Sequence, residues 1–205
     1  IKPQLLASLQ QAMIKDWRKL WNQPAAPFLF VQLPNFMDMS YLPTESQWAE
    51  FREAQAQSLS LPNTGMAVAI DLGEWNDIHP GGKKEVGERL ARIAEKVAYG
   101  NKSIVQTGPT FQAAAINGNK VTLSFTHTGS GLTTRDGEAP AEFAIAGADK
   151  KFVWAKATIE GDKIVVWNDE VPKPLYVRYG WSDNPVNPNV INKEGLPAAP
   201  FRTDN

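Results

Sequence analysis

Two histidines are the side chains of this sequence best suited to proton transfer. His79 is closely preceded by three carboxylates, Asp71, Glu74 and Asp77. The pKa of a histidine lies nearest neutrality, which suits a general base, and a neighbouring carboxylate can hold the ring in the required tautomer. This spacing predicts an acid–base pair built on His79. The alternative from the residues alone is structural, with His79 capping or packing against the helix that follows.

The other candidate groups carry weaker signals. His127 is expected to be a solvated residue at the end of a strand, and Gly129-Ser130-Gly131 lacks the G-x-S-x-G spacing of a nucleophile elbow. A histidine with nearby carboxylates can bind a cation, but no second pair of ligands stands at metal spacing. We therefore predict no metal site and no cofactor.

Composition excludes several classes of function. The chain has 21 basic and 22 acidic residues and a net charge of −1, which gives no electrostatic basis for binding nucleic acid. Its apolar runs are too short to span a membrane. Because there are no cysteines, thiolate chemistry and disulfides are excluded. Tryptophan rings either stack on sugars or pack in a core, and the chain has seven, at positions 17, 21, 48, 75, 154, 167 and 181.

The first half of the chain alternates helix and strand signals. A helical stripe over residues 4–20 precedes a buried strand at 28–33, and a capping box at 44–47 opens a helix with Trp48, Phe51 and Leu59 inward. A second buried strand at 64–70 precedes a polar loop and a helix from about Lys83. This order predicts an α/β sandwich with a parallel sheet. Ligands bind beyond the carboxyl ends of such strands, where the loop with His79 lies.

The second half reads as antiparallel. Strands are predicted at 120–126, 152–159, 163–167 and 176–181, with a hairpin turn at 160–162. They indicate a small antiparallel β-sandwich, and the Pro- and Asn-rich stretch from 184 to 205 is expected to lie irregularly over a surface. We place the boundary between the α/β part and the β-rich part at 102/103.

Short motifs along the whole chain resemble the sialate O-acetylesterase family. The block NDIHP at 76–80, continuing through Lys84, 86–87 and 89–91, is similar to the family's histidine block. The other matching segments are DWR at 16–18, PFLFVQL at 27–33, FREAQ at 51–55, MAVAIDLG at 66–73, VRYGW at 177–181 and EGLPAAPFRTD at 194–204. The motifs are individually modest but occur together in order.

The resemblance implies an SGNH-type hydrolase domain with a jelly-roll-like region attached. His79 matches the family's catalytic histidine. The family's serine lies in a G-Q-S-N block, and a G-E-S-N block contributes to the oxyanion hole, but neither occurs in this sequence. SGNH enzymes usually place an aspartate three residues before the histidine, where this chain has Asn76. Asp77, Asp71 or a backbone carbonyl are the alternatives for orienting His79, and Asp77 is preferred.

We therefore hypothesise that this chain is one part of a carbohydrate esterase that removes O-acetyl groups from sugars. The favoured substrate is 9-O-acetyl sialic acid. The nucleophile would come from an N-terminal segment or subunit, so the chain alone is expected to be inactive. The resemblance also implies a periplasmic or secreted location. The alternatives are an acetylxylan-type polysaccharide deacetylase and a non-catalytic carbohydrate-binding module.

Overall fold

A computed structural model describes residues 2–79 and 81–204, with the side chain of Gln4 also outside the description. Pro80, the last residue of the histidine block, therefore lies outside the described residues. The elements of the first half are helix α1 (Pro3–Leu20), strand β1 (Phe28–Val31), helix α2 (Gln47–Ala56), a 3₁₀ turn (Gln57–Ser60), strand β2 (Thr64–Ala67) and helix α3 (Lys83–Val97). The predicted alternation of helix and strand is confirmed.

Strands β1 and β2 pair in parallel, with Phe28 opposite Thr64 and Val31 opposite Ala67. The chain crosses from β1 to β2 through α2, whose first turn is capped by Ser46. The Ser46 hydroxyl accepts a hydrogen bond from the backbone N–H of Ala49 at 2.9 Å, which satisfies one of the unpaired donors of a helix start. Parallel pairing brings the loops after both strands to the same edge of the sheet.

Helix α1 turns an apolar stripe to solvent. Its inner face buries Ala7 and Ile14, and Arg18 fixes its end by donating to the carbonyls of Ala26 and Pro62 at 2.9 and 2.8 Å. The predicted helix is thus confirmed, but most of the stripe that predicted it lies on the outer face. The exposed members of this outer stripe are Leu5, Leu9, Met13, Trp17, Leu20 and Trp21.

The second half is antiparallel. Its elements are β3 (Thr110–Asn117), β4 (Lys120–Thr126), β5 (Leu132–Thr134), β6 (Phe143–Ala146), β7 (Val153–Trp154), β8 (Lys156–Glu160), β9 (Lys163–Trp167), β10 (Tyr176–Tyr179), β11 (Val190–Asn192) and β12 (Phe201–Arg202). The sheet orders are β3-β4-β9-β8, β12-β10-β6-β7 and β11-β5. Leu123, Ile145, Ile164, Val177 and Phe201 belong to one apolar core between these sheets, as expected for sandwich packing.

The C-terminal stretch is more regular than the sequence suggested. Strand β11 pairs with β5, and β12 pairs with β10. Asn189 and Asn192 are fully buried, and the Asn192 side chain donates to the carbonyls of Thr107 and His127. Asparagine here supplies hydrogen bonds to buried backbone, so the stretch is part of the core structure and not a surface covering.

Two smaller expectations differ from the structure. Leu59 is 43% exposed, because the chain leaves helix α2 for the 3₁₀ turn before that residue. The strand predicted at 152–159 is interrupted at Ala155, which separates β7 in one sheet from β8 in another. Among the residues that the structure describes, no helix is long and apolar enough to cross a membrane.

Candidate active site

The loop that carries His79 begins where strand β2 runs out. Val68, Ala69 and Ile70 follow the strand and are buried, and a turn begins at Ile70, where the backbone N–H of Leu72 donates to the Ala69 carbonyl at 3.1 Å. The loop then closes a short turn, in which Glu74 and Asp77 form an isolated antiparallel bridge with Trp75 and Asn76 at its tip. We call residues 71–79 the histidine loop. It lies at the carboxyl edge of the parallel pair, as the sequence predicted.

His79 and Asp77 are in direct contact. The Nδ1 atom of His79 lies 3.2 Å from Oδ1 of Asp77, and the backbone N–H of His79 donates to the same oxygen at 2.8 Å. That backbone hydrogen bond, assisted by the His79 ring, lowers the pKa of Asp77 below its ordinary value. An ionised Asp77 favours the tautomer with the proton on Nδ1, which leaves Nε2 as an acceptor. The His79 side chain is 82% exposed, so its ring is open to a reactant.

Asp71, the other candidate acid, is engaged elsewhere. Its side chain is only 5% exposed and binds Arg89 of helix α3 in bidentate fashion, at 2.6 and 2.7 Å. Arg135, from the segment after β5, adds a third bond to Oδ2 at 2.6 Å. Asp71 therefore joins the α/β part to the β-rich part, and its carboxylate accepts three hydrogen bonds from guanidinium groups. Of the two aspartates, only Asp77 contacts His79.

The loop after strand β1 holds the histidine loop in place. The side-chain oxygen of Asn35 accepts a 2.6 Å hydrogen bond from the backbone N–H of Gly73, and the backbone N–H of Met37 donates to the carbonyl of Trp75 at 2.9 Å. The Asn184 side chain binds both residues of the loop after β1. Its oxygen accepts a hydrogen bond from the Asn35 amide at 2.9 Å, and its amide donates to the Met37 carbonyl at 2.7 Å. A side chain at position 73 would collide with this arrangement, because a Cβ there would lie 1.8 Å from the Asn35 carbonyl oxygen.

A buried arginine of helix α2 holds the loop after β1 in place. Arg52 of helix α2 is fully buried and donates to four carbonyl groups, those of Leu33, Pro34, Ser182 and Asp183, at 2.7–3.0 Å. Burial lowers the pKa of Arg52 to about 9, although the charge of Asp183 opposes the shift. The sequence analysis quoted this residue only within FREAQ. A charged residue amid the buried positions of a helix was the available signal for its role.

The remaining candidates lie apart from this site. Ser130 donates to Glu194 at 2.5 Å, which accounts for the Gly-Ser-Gly segment as a structural turn. His127 is exposed at the end of β4, with Nδ1 3.1 Å from the Thr126 hydroxyl. Arg202 binds Glu53 of α2 through two hydrogen bonds at 3.1 and 2.8 Å and stacks on Trp181. Within residues 2–79 and 81–204, no group of three potential ligands is spaced to hold a metal ion.

Several characterised proteins are similar to this chain. The sialate O-acetylesterase of Pongo abelii is 26% identical over 93% of the chain, and that of Mus musculus is 35% identical over 47% of it. A crystal structure of a carbohydrate acetylesterase from Xanthomonas citri is 46% identical and covers 98% of the chain with a TM-score of 0.90. No family model matches the sequence.

These similarities concern part of each relative. The chain spans 40% of the Pongo abelii protein, 21% of the mouse protein and 46% of the Xanthomonas citri chain. The predicted relationship and the mixed α/β fold class are confirmed by the agreement of sequence and structure along nearly the whole chain. The catalytic roles of His79 and Asp77 stay predictions.

Proposed function

We propose that this chain, which is similar to sialate O-acetylesterases and to a carbohydrate acetylesterase along most of its length, contributes the general base, His79, to an esterase that removes O-acetyl groups from carbohydrates. The observation that carries the proposal is the His79–Asp77 contact at the carboxyl edge of the parallel strands, with the ring open to solvent. A histidine oriented by a carboxylate and accessible at Nε2 has the geometry of a proton shuttle.

The nucleophile in this proposal is a serine outside residues 1–205, on a segment that binds beside the histidine loop. The serine oxygen attacks the acetyl carbonyl carbon while its proton passes to Nε2 of His79. His79 then returns that proton to the sugar oxygen as the carbon–oxygen bond breaks, leaving an acetylated serine. Water then attacks the acetyl carbon and loses a proton to His79, and His79 passes this proton to the serine oxygen as the bond between that oxygen and the acetyl carbon breaks, which releases acetate and restores the free serine. Asp77 stabilises the imidazolium in both steps.

The carbohydrate part of the proposal has support at the loop itself. Trp75 stands at the tip of the turn before His79 and is 61% exposed, although its backbone is held by Met37. An exposed indole offers an apolar face for a sugar ring. We propose O-acetylated sialic acid as the substrate, as the names of the sialate O-acetylesterase relatives suggest. Replacing Trp75 by Ala is expected to raise KM for the acetylated sugar while leaving hydrolysis of p-nitrophenyl acetate unchanged.

The test uses two polypeptides. The complementing segment is defined as the part of the Xanthomonas citri acetylesterase chain outside its matched 46%. We expect no hydrolysis of p-nitrophenyl acetate by this chain alone, and hydrolysis when the two are co-expressed, which we call the assembled esterase. Activity of the chain alone would contradict the division of the active site. Activity that survives His79→Ala in the assembled esterase would contradict the role of the histidine. Comparing acetylated sialic acid with acetylated xylan as substrates then tests the proposed sugar.

A further inference from the structure

The outer stripe of helix α1 is an unusual surface for a free protein. Leu5, Leu9, Trp17 and Trp21 are 43–60% exposed, and Leu20 is 78% exposed. No charged residue occurs between positions 3 and 14, so nothing along the first three turns breaks the apolar face. A surface helix normally has one apolar face, turned to the core, and contiguous exposed patches mark interaction sites. Helix α1 has a second one.

This stripe is continuous with the edge of strand β1 that faces away from β2. Trp17 contacts Phe28, the first residue of β1, with ring centroids 5.8 Å apart. Further along, Leu6, Leu9, Met13 and Gln55 line a groove of about 450 Å³. Gln55 sits at the strand edge itself, where its amide donates to the Val31 carbonyl at 3.2 Å and accepts from the Leu33 N–H at 2.9 Å.

The opposite side of the parallel pair is already covered. Met66, Val68 and Ile70 of the β2 segment form a small core with Ala199 from the C-terminal stretch. Helix α3 packs over one face of both strands, and its Arg89 donates to the Val68 carbonyl at 2.6 Å. Because Ala199 of the C-terminal stretch already lies against the β2 segment, we expect a polypeptide that extends this α/β layer to approach from the β1 side, where the outer stripe lies.

We propose that the outer stripe of α1, with the groove at Gln55 and the edge of β1, is the docking surface for the segment that carries the nucleophile. This inference rests on the proposed function. The occupant is favoured by two observations. More than half of the Xanthomonas citri chain lies outside its match to this chain, although the matched parts superpose closely. In addition, Ala199 of the C-terminal stretch already lies beside β2, so a segment that brings a nucleophile to His79 at the carboxyl edge of this sheet is expected on the β1 side.

The experiment compares changes at partly exposed sites, of which Met13 is 39% exposed. Leu9→Asp combined with Met13→Asp places charges on the outer stripe, while Ile116→Asp places one on strand β3, and Leu9 and Ile116 are 49% and 51% exposed. Because these side chains are exposed, the variants are expected to keep the wild-type unfolding midpoint. We expect the double variant to bind the complementing segment at least tenfold more weakly than wild type does, and Ile116→Asp to bind it normally, as measured by quantitative co-purification and by titration.

Each other outcome has a defined meaning. Equal binding by wild type and the double variant, or no binding by wild type, overturns the proposed surface. The chain alone could also dimerise. If the complementing segment does not displace the dimer, and Leu9→Asp with Met13→Asp abolishes it, the stripe binds a second copy of the chain and the proposal is overturned. Binding through the stripe without hydrolysis of p-nitrophenyl acetate leaves the docking surface standing and contradicts the proposed esterase.

Discussion

The two ends of the histidine loop use aspartate in opposite ways. At its start, Asp71 is buried and bound by two arginines from different parts of the molecule. At its end, Asp77 is exposed, and its carboxylate is hydrogen-bonded to the backbone and ring of His79. The buried network fixes where the loop leaves the sheet, and the exposed pair is left accessible. One short segment thus uses Asp71 to hold the loop in place and leaves Asp77 to orient His79.

The largest expected effect is a difference in the free energy of unfolding between substitutions of Asp71 and of Asp77. Asp71→Asn removes the charge that balances Arg89, and breaking a buried ion pair costs about 3–5 kcal/mol. Urea unfolding of the chain should therefore show a lowered midpoint with an unchanged m value. Asp77→Asn, the matched control, is expected to unfold at the wild-type midpoint. Equal losses in both variants would break the comparison.

A second change displaces the loop without touching either aspartate. Gly73→Ala places a methyl group against the Asn35 carbonyl oxygen, which we expect to cost about 2 kcal/mol of unfolding free energy as an overpacked site. Because the loop must move to relieve the clash, kcat of the assembled esterase should fall as well. Wild-type kcat in Gly73→Ala would show that the Asn35 contact does not position the histidine.

The exposed end of the loop should matter for catalysis. Asp77→Asn keeps the size of the side chain but removes the charge that stabilises the protonated ring. An exposed ion pair is weak, so we expect kcat of the assembled esterase to fall about fivefold, with KM unchanged. The measurement is steady-state hydrolysis of p-nitrophenyl acetate. A larger loss in KM than in kcat would indicate that Asp77 contacts the substrate and does not orient His79.

The smallest expected effect is a gain in stability from Gly87→Ala, which is the control for the loss expected in Gly73→Ala. Gly87 lies within helix α3, and a Cβ there would meet no atom within 4 Å. Gly87→Ala should raise the free energy of unfolding by about 0.5–1 kcal/mol, because alanine favours the helix and restricts the unfolded chain. Unfolding by urea beside Gly73→Ala gives the contrast directly. A loss of stability at position 87 would show that glycine substitution alone, without a clash, harms this protein.

Local patterns predicted much of the fold. The periodicity of residues 4–20 and the apolar runs at 28–33 and 64–70 each reflect neighbours along the chain, and the corresponding elements are present. The same periodicity did not reveal which face of α1 is covered, because that depends on what packs there. Strand β11 was missed for a related reason, since it pairs with β5 more than fifty residues earlier.

In the candidate site, too, contacts between residues close in sequence were predictable and contacts between distant segments were not. The contact of His79 with Asp77 follows from their closeness in sequence, and it agrees with the preference for Asp77 over Asp71. The supporting contacts of Asn35, Asn184 and Arg52 join segments that are distant in the chain, so no spacing pattern announces them. Asp71 was a plausible acid by sequence until its two arginine partners were known.

The most direct test of the central claim is chemical rescue of His79→Ala in the assembled esterase. Removing an imidazole that is 82% exposed leaves its position accessible to solutes. If His79 is the general base, His79→Ala should lower kcat by about a thousandfold, and free imidazole should restore part of that loss in proportion to its concentration. His127→Ala should need no rescue. Unchanged activity in His79→Ala, or a loss that imidazole cannot relieve while the complex remains assembled, would contradict the account.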